Sequence, residues 1–323
     1  MISENMLKMS VLVTGGAGFI GSHIVEYLLK HNVKFVRILD NLSTGSLRNV
    51  DPLLTAFPNV EFMWGDLTNL ETCRRACRDV TVICHQGALG AVPRSVEDPL
   101  TSHNVNVNGF LNILLVAREN NIKRVVYASS SSVYGDNTDE KKEEEHVGRQ
   151  MSPYATTKYV DELYAGIFTR LYGLECVGLR YFNVFGPRQN PNGVYSAVIP
   201  RFIRIMQEGR SPMIHGDGSA TRDFTYVDNV VHANYLAITT VNEQCFGEVF
   251  NVGTDNSVSI NELITTIREI TGHQGPDPLY GLPRPGDVPH SRASIDKISS
   301  KMGYQVLVDF REGLRRTIKY FSE

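Results

Sequence analysis

The sequence predicts an α/β fold: a doubly wound parallel sheet with a smaller, interleaved C-terminal substrate lobe. Three observations carry this. Short apolar runs alternate with longer helix-like stretches through the first half of the chain. A glycine-rich turn follows the first of those runs. After Tyr181 the alternation stops, and glycine and proline become frequent.

Residues 11–13, 35–39, 60–63, 80–84 and 125–128 read as buried parallel strands, because continuous apolar runs suit a sheet covered on both faces. Helix-like segments at 23–30 and 110–118 lie between them, and a helix from about 152 to 171 leads to a strand at 175–179. Such alternation implies right-handed crossovers. Loops at 185–193, 209–219 and 274–286 then mark an irregular lobe. A helix at 227–237 and a strand at 248–251 are assigned back to the sheet. The expected division is 1–182 with 226–252 for the sheet domain, and 183–225 with 253–323 for the second lobe. The charged run 139–145 reads as a solvated loop without function.

The bulk properties exclude several classes. A chain of 323 residues can bury a large core, and 42% hydrophobic with 21% charged residues is ordinary for a globular protein. A net charge of −3 gives no footprint for nucleic acid or a membrane face. The five cysteines form no C-x-x-C pair, and Cys73 and Cys77 have no histidine partner, so reduced packing thiols are expected and no metal site. The N-terminus lacks an apolar signal core and no segment is long enough to span a membrane, which points to a cytoplasmic enzyme.

The glycine turn reads G-x-x-G-x-x-G through Gly15, Gly18 and Gly21, with Phe19 and Ile20 inside it. Glycine lets the backbone turn tightly and approach a pyrophosphate, whose charge sits at a helix N-terminus. Asp40 ends the second strand roughly 20 residues on, where a carboxylate accepts ribose hydroxyls. The same carboxylate repels a 2′-phosphate, so NAD is expected rather than NADP. This spacing resembles the extended short-chain dehydrogenase/reductase family, a Rossmann fold. The resemblance implies cofactor contacts at Asn41, Ser43, Thr44 and Gly45 after the second strand, and at Asp66 and Leu67 for adenine. It implies others at Gln86 and Ala88 after the fourth strand, where Gly87 replaces the usual first alanine of a pair.

Tyr154 and Lys158 are four residues apart, so on a helix they share a face. A free phenol titrates near about 10, too high for a base at neutral pH. A nearby ammonium and a cationic nicotinamide both favour the phenolate. Bringing a phenol into the neutral range takes roughly 4 kcal/mol of differential stabilisation. The serine run 129–132 follows the fifth strand, at the sheet edge where open α/β folds bind ligands. A hydroxyl there can bond the reacting oxygen. The family's catalytic Ser/Thr position matches Ser130. Ser131 is a candidate substrate contact, and Ser129 and Ser132 are read as turn and cap residues.

Over nearly the whole chain the sequence is similar to nucleotide-sugar 4-epimerases, especially those acting on UDP-N-acetylhexosamines. The stretches HQGALGAVPRS, ASSSSVYGD, SPYATTKY, LRYFNVFGPRQNPNG, GDGSATRDFTYVDN and RPGDVPHS carry the likeness. Related 4,6-dehydratases have an Asp-Glu pair where this chain has Ser131-Ser132, which leaves elimination without its acid and base. The resemblance therefore implies that Tyr154 removes the C4 hydroxyl proton while hydride passes to NAD, the 4-keto sugar turns over, and hydride returns to the other face. Arg222 and Arg284 match diphosphate contacts, Asp287 a uridine-ribose contact, and Asn183 a diphosphate or sugar contact. Val198 and His215 fall near the uridine pocket, and Asn106 and Tyr181 near the nicotinamide.

Ser291 stands where glucose-restricted relatives carry a bulky Tyr, leaving room for an N-acetyl group; it would equally serve as cap of a helix over 293–301. The expected substrates are UDP-GlcNAc/UDP-GalNAc, with UDP-Glc/UDP-Gal as a second pair. UDP-glucuronate 4-epimerisation, a keto-sugar reductase and a non-catalytic NAD-sensing scaffold stay open as alternatives. The resemblance also implies a homodimer through helices near 99–120 and 152–171.

Overall fold

The computed structural model describes residues 6–191, 197–272, 275–282 and 290–323. Its centre is a seven-stranded sheet built from β1 (Ser10–Thr14), β2 (Phe35–Asp40), β3 (Val60–Trp64), β4 (Val82–His85), β5 (Arg124–Ser130), β7 (Glu175–Tyr181) and β12 (Glu248–Val252). The order is β12-β7-β5-β4-β1-β2-β3, and every neighbouring pair is parallel. The strand order reverses between β1 and β4, which opens a crevice at their carboxyl ends.

Period-two alternation explains why both faces are covered. Val11 and Val13 of β1 point into one core with Ile24, Val25 and Leu28 of α1 (Phe19–Lys30) and with Val230 and Ala233 of α9 (Val227–Thr239). Leu12, between them, joins the other core with Phe110 and Leu114 of α6 (Gly109–Glu119) and Phe168 of α7 (Pro153–Tyr172). α7 is capped by Ser152, whose hydroxyl accepts from the Ala155 N–H at 3.1 Å, and stops at Gly173 in the left-handed region. All five cysteines are free and buried, and burial pushes the Cys73 and Cys77 thiols up to about 12. Among the described residues no helix is long and apolar enough to cross a membrane, and no His/Cys/Asp/Glu group is arranged to hold a metal.

Several expectations change. β3 is an edge strand, not a buried one: Trp64 is 67% exposed and Glu61 is exposed too. The second lobe is not mainly loops. It holds α8 (Val198–Gln207), α10 (Ile260–Thr271) and α12 (Phe310–Ser322), all strongly amphipathic and packed together. The charged run is not simply a solvated loop. β6 (Lys141–Lys142) within it pairs with β15 (His290–Ala293), which pairs in turn with β10 (Thr221–Arg222). Lys142 and Glu144 are buried. The Lys142 ammonium donates to Asn137 O, Asn137 Oδ1 and Asp139 O, and Glu144 Oε1 accepts from the Asn251 N–H at 2.8 Å. These are satisfied buried polar groups that tie β12 to the lobe.

Candidate active site

β1 runs into Gly15, whose φ of +64° places it in the left-handed region. A side chain there would meet Gly87 Cα at 2.7 Å, and one at Gly21 would meet Gly15 O at 2.2 Å. The turn is therefore closed by two backbone approaches that exclude any Cβ. α1 starts immediately after Gly18, so its free N–H groups point into the crevice. The donor set and the bare backbone fit a dinucleotide pyrophosphate. Gly21→Ala forces α1 away from the turn at a cost of about 1–3 kcal/mol. NAD affinity is expected to fall about tenfold or more, measured by titration calorimetry.

Asp40 is buried at the end of β2. Its Oδ2 accepts from the Ala17 N–H at 3.0 Å and its Oδ1 from the Leu42 N–H at 2.8 Å. Burial raises its carboxyl and these two N–H groups pull back. Asn41 donates to Asp66 Oδ2 at 2.8 Å, and Thr68 donates to Asp66 Oδ1 through both its N–H and its hydroxyl. Burial acts to raise Asp66, but these bonds outweigh it and hold the carboxyl below its ordinary value.

One cleft gathers most of the residues expected at the cofactor. Gly15, Gly18, Phe19, Ile20 and Gly21 form its floor. Asp40, Asn41, Ser43, Thr44, Asp66 and Leu67 form one end, and Gln86, Ala88, Tyr154, Lys158 and Tyr181 the other. Two expected residues stand back from it. Gly45 packs against Ala17 and the Asp40 carboxylate. Asn106 is fully buried within a π-turn; its amide accepts from the Leu89 N–H at 2.8 Å and donates to Leu89 O and Thr157 Oγ1, so it shapes the loop that lines the cleft. Leu89, Gly90, Val105 and Ala128 also line the cleft. No sequence signal marks these four, since apolar and glycine residues there look like ordinary packing.

Tyr154 and Lys158 lie one turn apart on α7 and face the cleft together. The Tyr154 N–H donates to Ser95 Oγ at 3.0 Å. The Lys158 ammonium is 2% exposed and donates to Ala128 O at 3.0 Å and to Asp161 Oδ2 at 3.3 Å. His85 beneath them is fully buried, with Nδ1 paired to Thr14 Oγ1 at 2.9 Å. Burial, then Lys158, hold its imidazole down to about 3, so it stays neutral.

The serine run divides its work differently from expectation. Ser130 is itself the cap: its Oγ accepts from the Ser132 N–H at 3.1 Å and opens the short turn Ser131–Tyr134. Ser129 is no cap; its hydroxyl donates to Glu162 Oε1 at 2.6 Å. The Ser132 hydroxyl is buried without a partner among the described residues. The cleft wall reaches Ala128 and Ser129, and Ser130 and Ser131 follow directly.

A second pocket brings together Asn183, Val198, His215 and Arg222, four residues far apart in sequence. Phe185, Arg201, Phe202 and Ile260 line it too. They were illegible because they sit on elements that the loop-like texture concealed. Ser291 is not a helix cap. It lies in β15 directly across from Arg222 of β10, and the helix beyond, α11 (Asp296–Met302), begins only at Asp296, after Ile295. The buried Asp223 carboxylate secures this arrangement by accepting from Thr254 and from the Ala293 N–H. Arg284 and Asp287 lie outside the described residues.

A phenol and an ammonium facing a dinucleotide turn across one cleft define an NAD-dependent enzyme of the extended short-chain dehydrogenase/reductase class. The chain belongs to the NAD dependent epimerase/dehydratase family, whose model matches residues 11–253. It is 40% identical over 314 residues to a putative UDP-glucose 4-epimerase of Methanocaldococcus jannaschii, covering 97% of this chain and 98% of that protein. The solved UDP-N-acetylglucosamine 4-epimerase of Methanobrevibacter ruminantium M1, in complex with UDP-N-acetylmuramic acid, superposes with a TM-score of 0.92 at 39% identity, covering 98% of this chain and 99% of that one. The UDP-glucose 4-epimerase of Thermotoga maritima, with UDP-glucose, gives 0.90 at 36% identity, covering 97% and 99%.

Proposed function

We propose that this protein interconverts the C4 epimers of a UDP-hexose, UDP-GlcNAc/UDP-GalNAc first and UDP-Glc/UDP-Gal second. The observation that carries the reading is the Tyr154–Lys158 pair on the wall of the dinucleotide cleft. Bound NAD supplies the hydride chemistry, so no net redox occurs. Tyr154 takes the C4 hydroxyl proton as the 4-keto sugar forms and returns it to the epimeric hydroxyl. Lys158 supports the phenolate electrostatically, and Ser130 bonds the reacting oxygen. Arg222 and Arg284 clamp the diphosphate while Asn183, Val198, His215 and Asp287 hold the nucleotide end. Anchored there, the keto sugar is free to turn over.

In this reading residues 1–182 with 226–252 hold NAD, and 183–225 with 253–323 hold the UDP-sugar. The protein works as a homodimer through α6 and α7, where Leu163, Ile167 and Leu171 are exposed along one helix. Elimination is disfavoured because Ser131 and Ser132 stand where related 4,6-dehydratases carry an Asp-Glu pair.

Incubating the enzyme separately with UDP-GlcNAc, UDP-Glc and UDP-glucuronate tests the reading. Epimerisation of the first two without NADH accumulation is expected. Stoichiometric NADH consumption, or turnover of UDP-glucuronate alone, overturns it. Ser291→Tyr, beside Arg222, is expected to suppress the acetylated reaction about tenfold more than the plain one, through steric loss in the pocket. Equal loss of both in kcat/KM sinks the role of Ser291.

A further inference from the structure

Lys158 does not stand alone behind the cleft. Three residues on, Asp161 is 1% exposed and directs Oδ2 to the Lys158 ammonium at 3.3 Å. Its other oxygen, Oδ1, is buried with no hydrogen-bond partner among the described residues. A carboxylate that were merely structural would be expected to have both oxygens satisfied. Among the described residues, its one hydrogen bond as acceptor through the side chain goes to the ammonium that faces the cleft.

The titratable groups around Asp161 come from several elements. Glu162 follows it on α7, and Tyr127 lies behind it on β5. Arg180 of β7 neutralises Glu162 through two bonds, at 2.9 and 2.8 Å. His85 of β4 faces Lys158 and is neutral. The helices against α7 contribute Arg94 and Glu97 of α4 (Val92–Glu97), His103 of α5 (Pro99–His103), and Arg118 and Glu119 of α6, none of them buried. Lys158 is therefore the one cation in contact with Asp161 among these groups.

We propose that Asp161 is a positioning residue that sets how strongly the Lys158 ammonium acts on the cleft, its ionised form cancelling that charge and its protonated form releasing it. The proposal rests on the reading of Tyr154 and Lys158 as the reaction centre. Burial pushes the Asp161 carboxyl up to about 7, against the pull of Lys158. The switch therefore lies in the neutral range. As pH rises through that range, Asp161 ionises, the field of Lys158 on the phenol weakens, and the phenolate loses support.

The test compares kcat–pH profiles of the wild type, Asp161→Asn and Asp161→Glu between pH 5.5 and 9, with UDP-GlcNAc and UDP-Glc. Asn fixes the neutral state. The ratio of Asp161→Asn to wild-type kcat is expected to stay near one below the midpoint and to rise about tenfold above it. Asp161→Glu restores a pH-dependent ratio. A ratio independent of pH overturns the proposal, because a packing defect lowers kcat equally everywhere. A second measurement needs neither turnover nor a variant that folds well: carboxyl carbon NMR of the wild type, in which a buried aspartate titrates near neutrality. If every aspartate resonance titrates in the ordinary acidic range, the proposal fails. A wild type that turns over neither sugar pair overturns the functional reading instead, and the carboxyl titration then still decides whether Asp161 ionises against Lys158.

Discussion

Tyr154→Phe is expected to lower kcat by about 10²–10⁴-fold, the range for removing a positioned acid–base group. The substitution keeps the ring and removes only the hydroxyl. The backbone bond from Tyr154 to Ser95 Oγ and the capping bond of Ser152 do not involve that hydroxyl. Lys158 keeps its bonds to Ala128 O and Asp161. The KM for the UDP-sugar, which the proposed function assigns mainly to the Arg222 pocket, is expected to change less than about threefold. NAD content is expected to stay that of the wild type. A kcat reduced less than about tenfold contradicts the assignment of the phenol as the acid–base group.

Glu162→Ala has the largest expected effect on stability. Glu162 and Arg180 form a fork-shaped ion pair in which both side chains are nearly inaccessible, 6% and 2% exposed. Arg180 lies on β7, between β5 and β12, and also donates to the Tyr134 hydroxyl at 3.1 Å and Glu144 O at 2.9 Å. The Tyr134 hydroxyl donates to Asn251 Oδ1 at 2.7 Å, so one network joins α7, the sheet and the charged run. Removing the carboxylate leaves a buried guanidinium and the Ser129 hydroxyl without that partner. Breaking a buried pair from one side costs about 3–5 kcal/mol. Urea unfolding is expected to show a loss of that size at unchanged m. The double change Glu162→Met/Arg180→Met recovers much of it, since no lone charge remains. A single-variant loss below about 1 kcal/mol contradicts this account of the network.

Much of the site was legible because its chemistry is local. The turn through Gly15, Gly18 and Gly21 needs residues without a Cβ, and that need is visible in sequence. Tyr154 and Lys158 share a face by helix spacing alone. Asp40 is visible because it terminates an apolar strand. What escaped notice depends on long-range pairing. Lys142 and Glu144 look like solvated charges until β6 joins β15, over 140 residues later, and buries them. The run 60–63 looks like a buried strand until β3 proves to be the sheet edge. Asp161 and Glu162 carry no sequence signal, since nothing in the sequence says that Lys158 and Arg180 lie against them. The cap role of Ser291 failed for the same reason: its strand exists only because β10 and β6 flank it.

Retention of label at C4 tests the central claim most directly. The purified enzyme is given UDP-GlcNAc deuterated at C4, in ordinary water and without added cofactor. The account predicts UDP-GalNAc that carries the deuterium at C4, with no NADH released, because the same hydride leaves and returns at one bound cofactor. Product that has exchanged its C4 deuterium for solvent hydrogen, or turnover only with stoichiometric NAD(H), contradicts it.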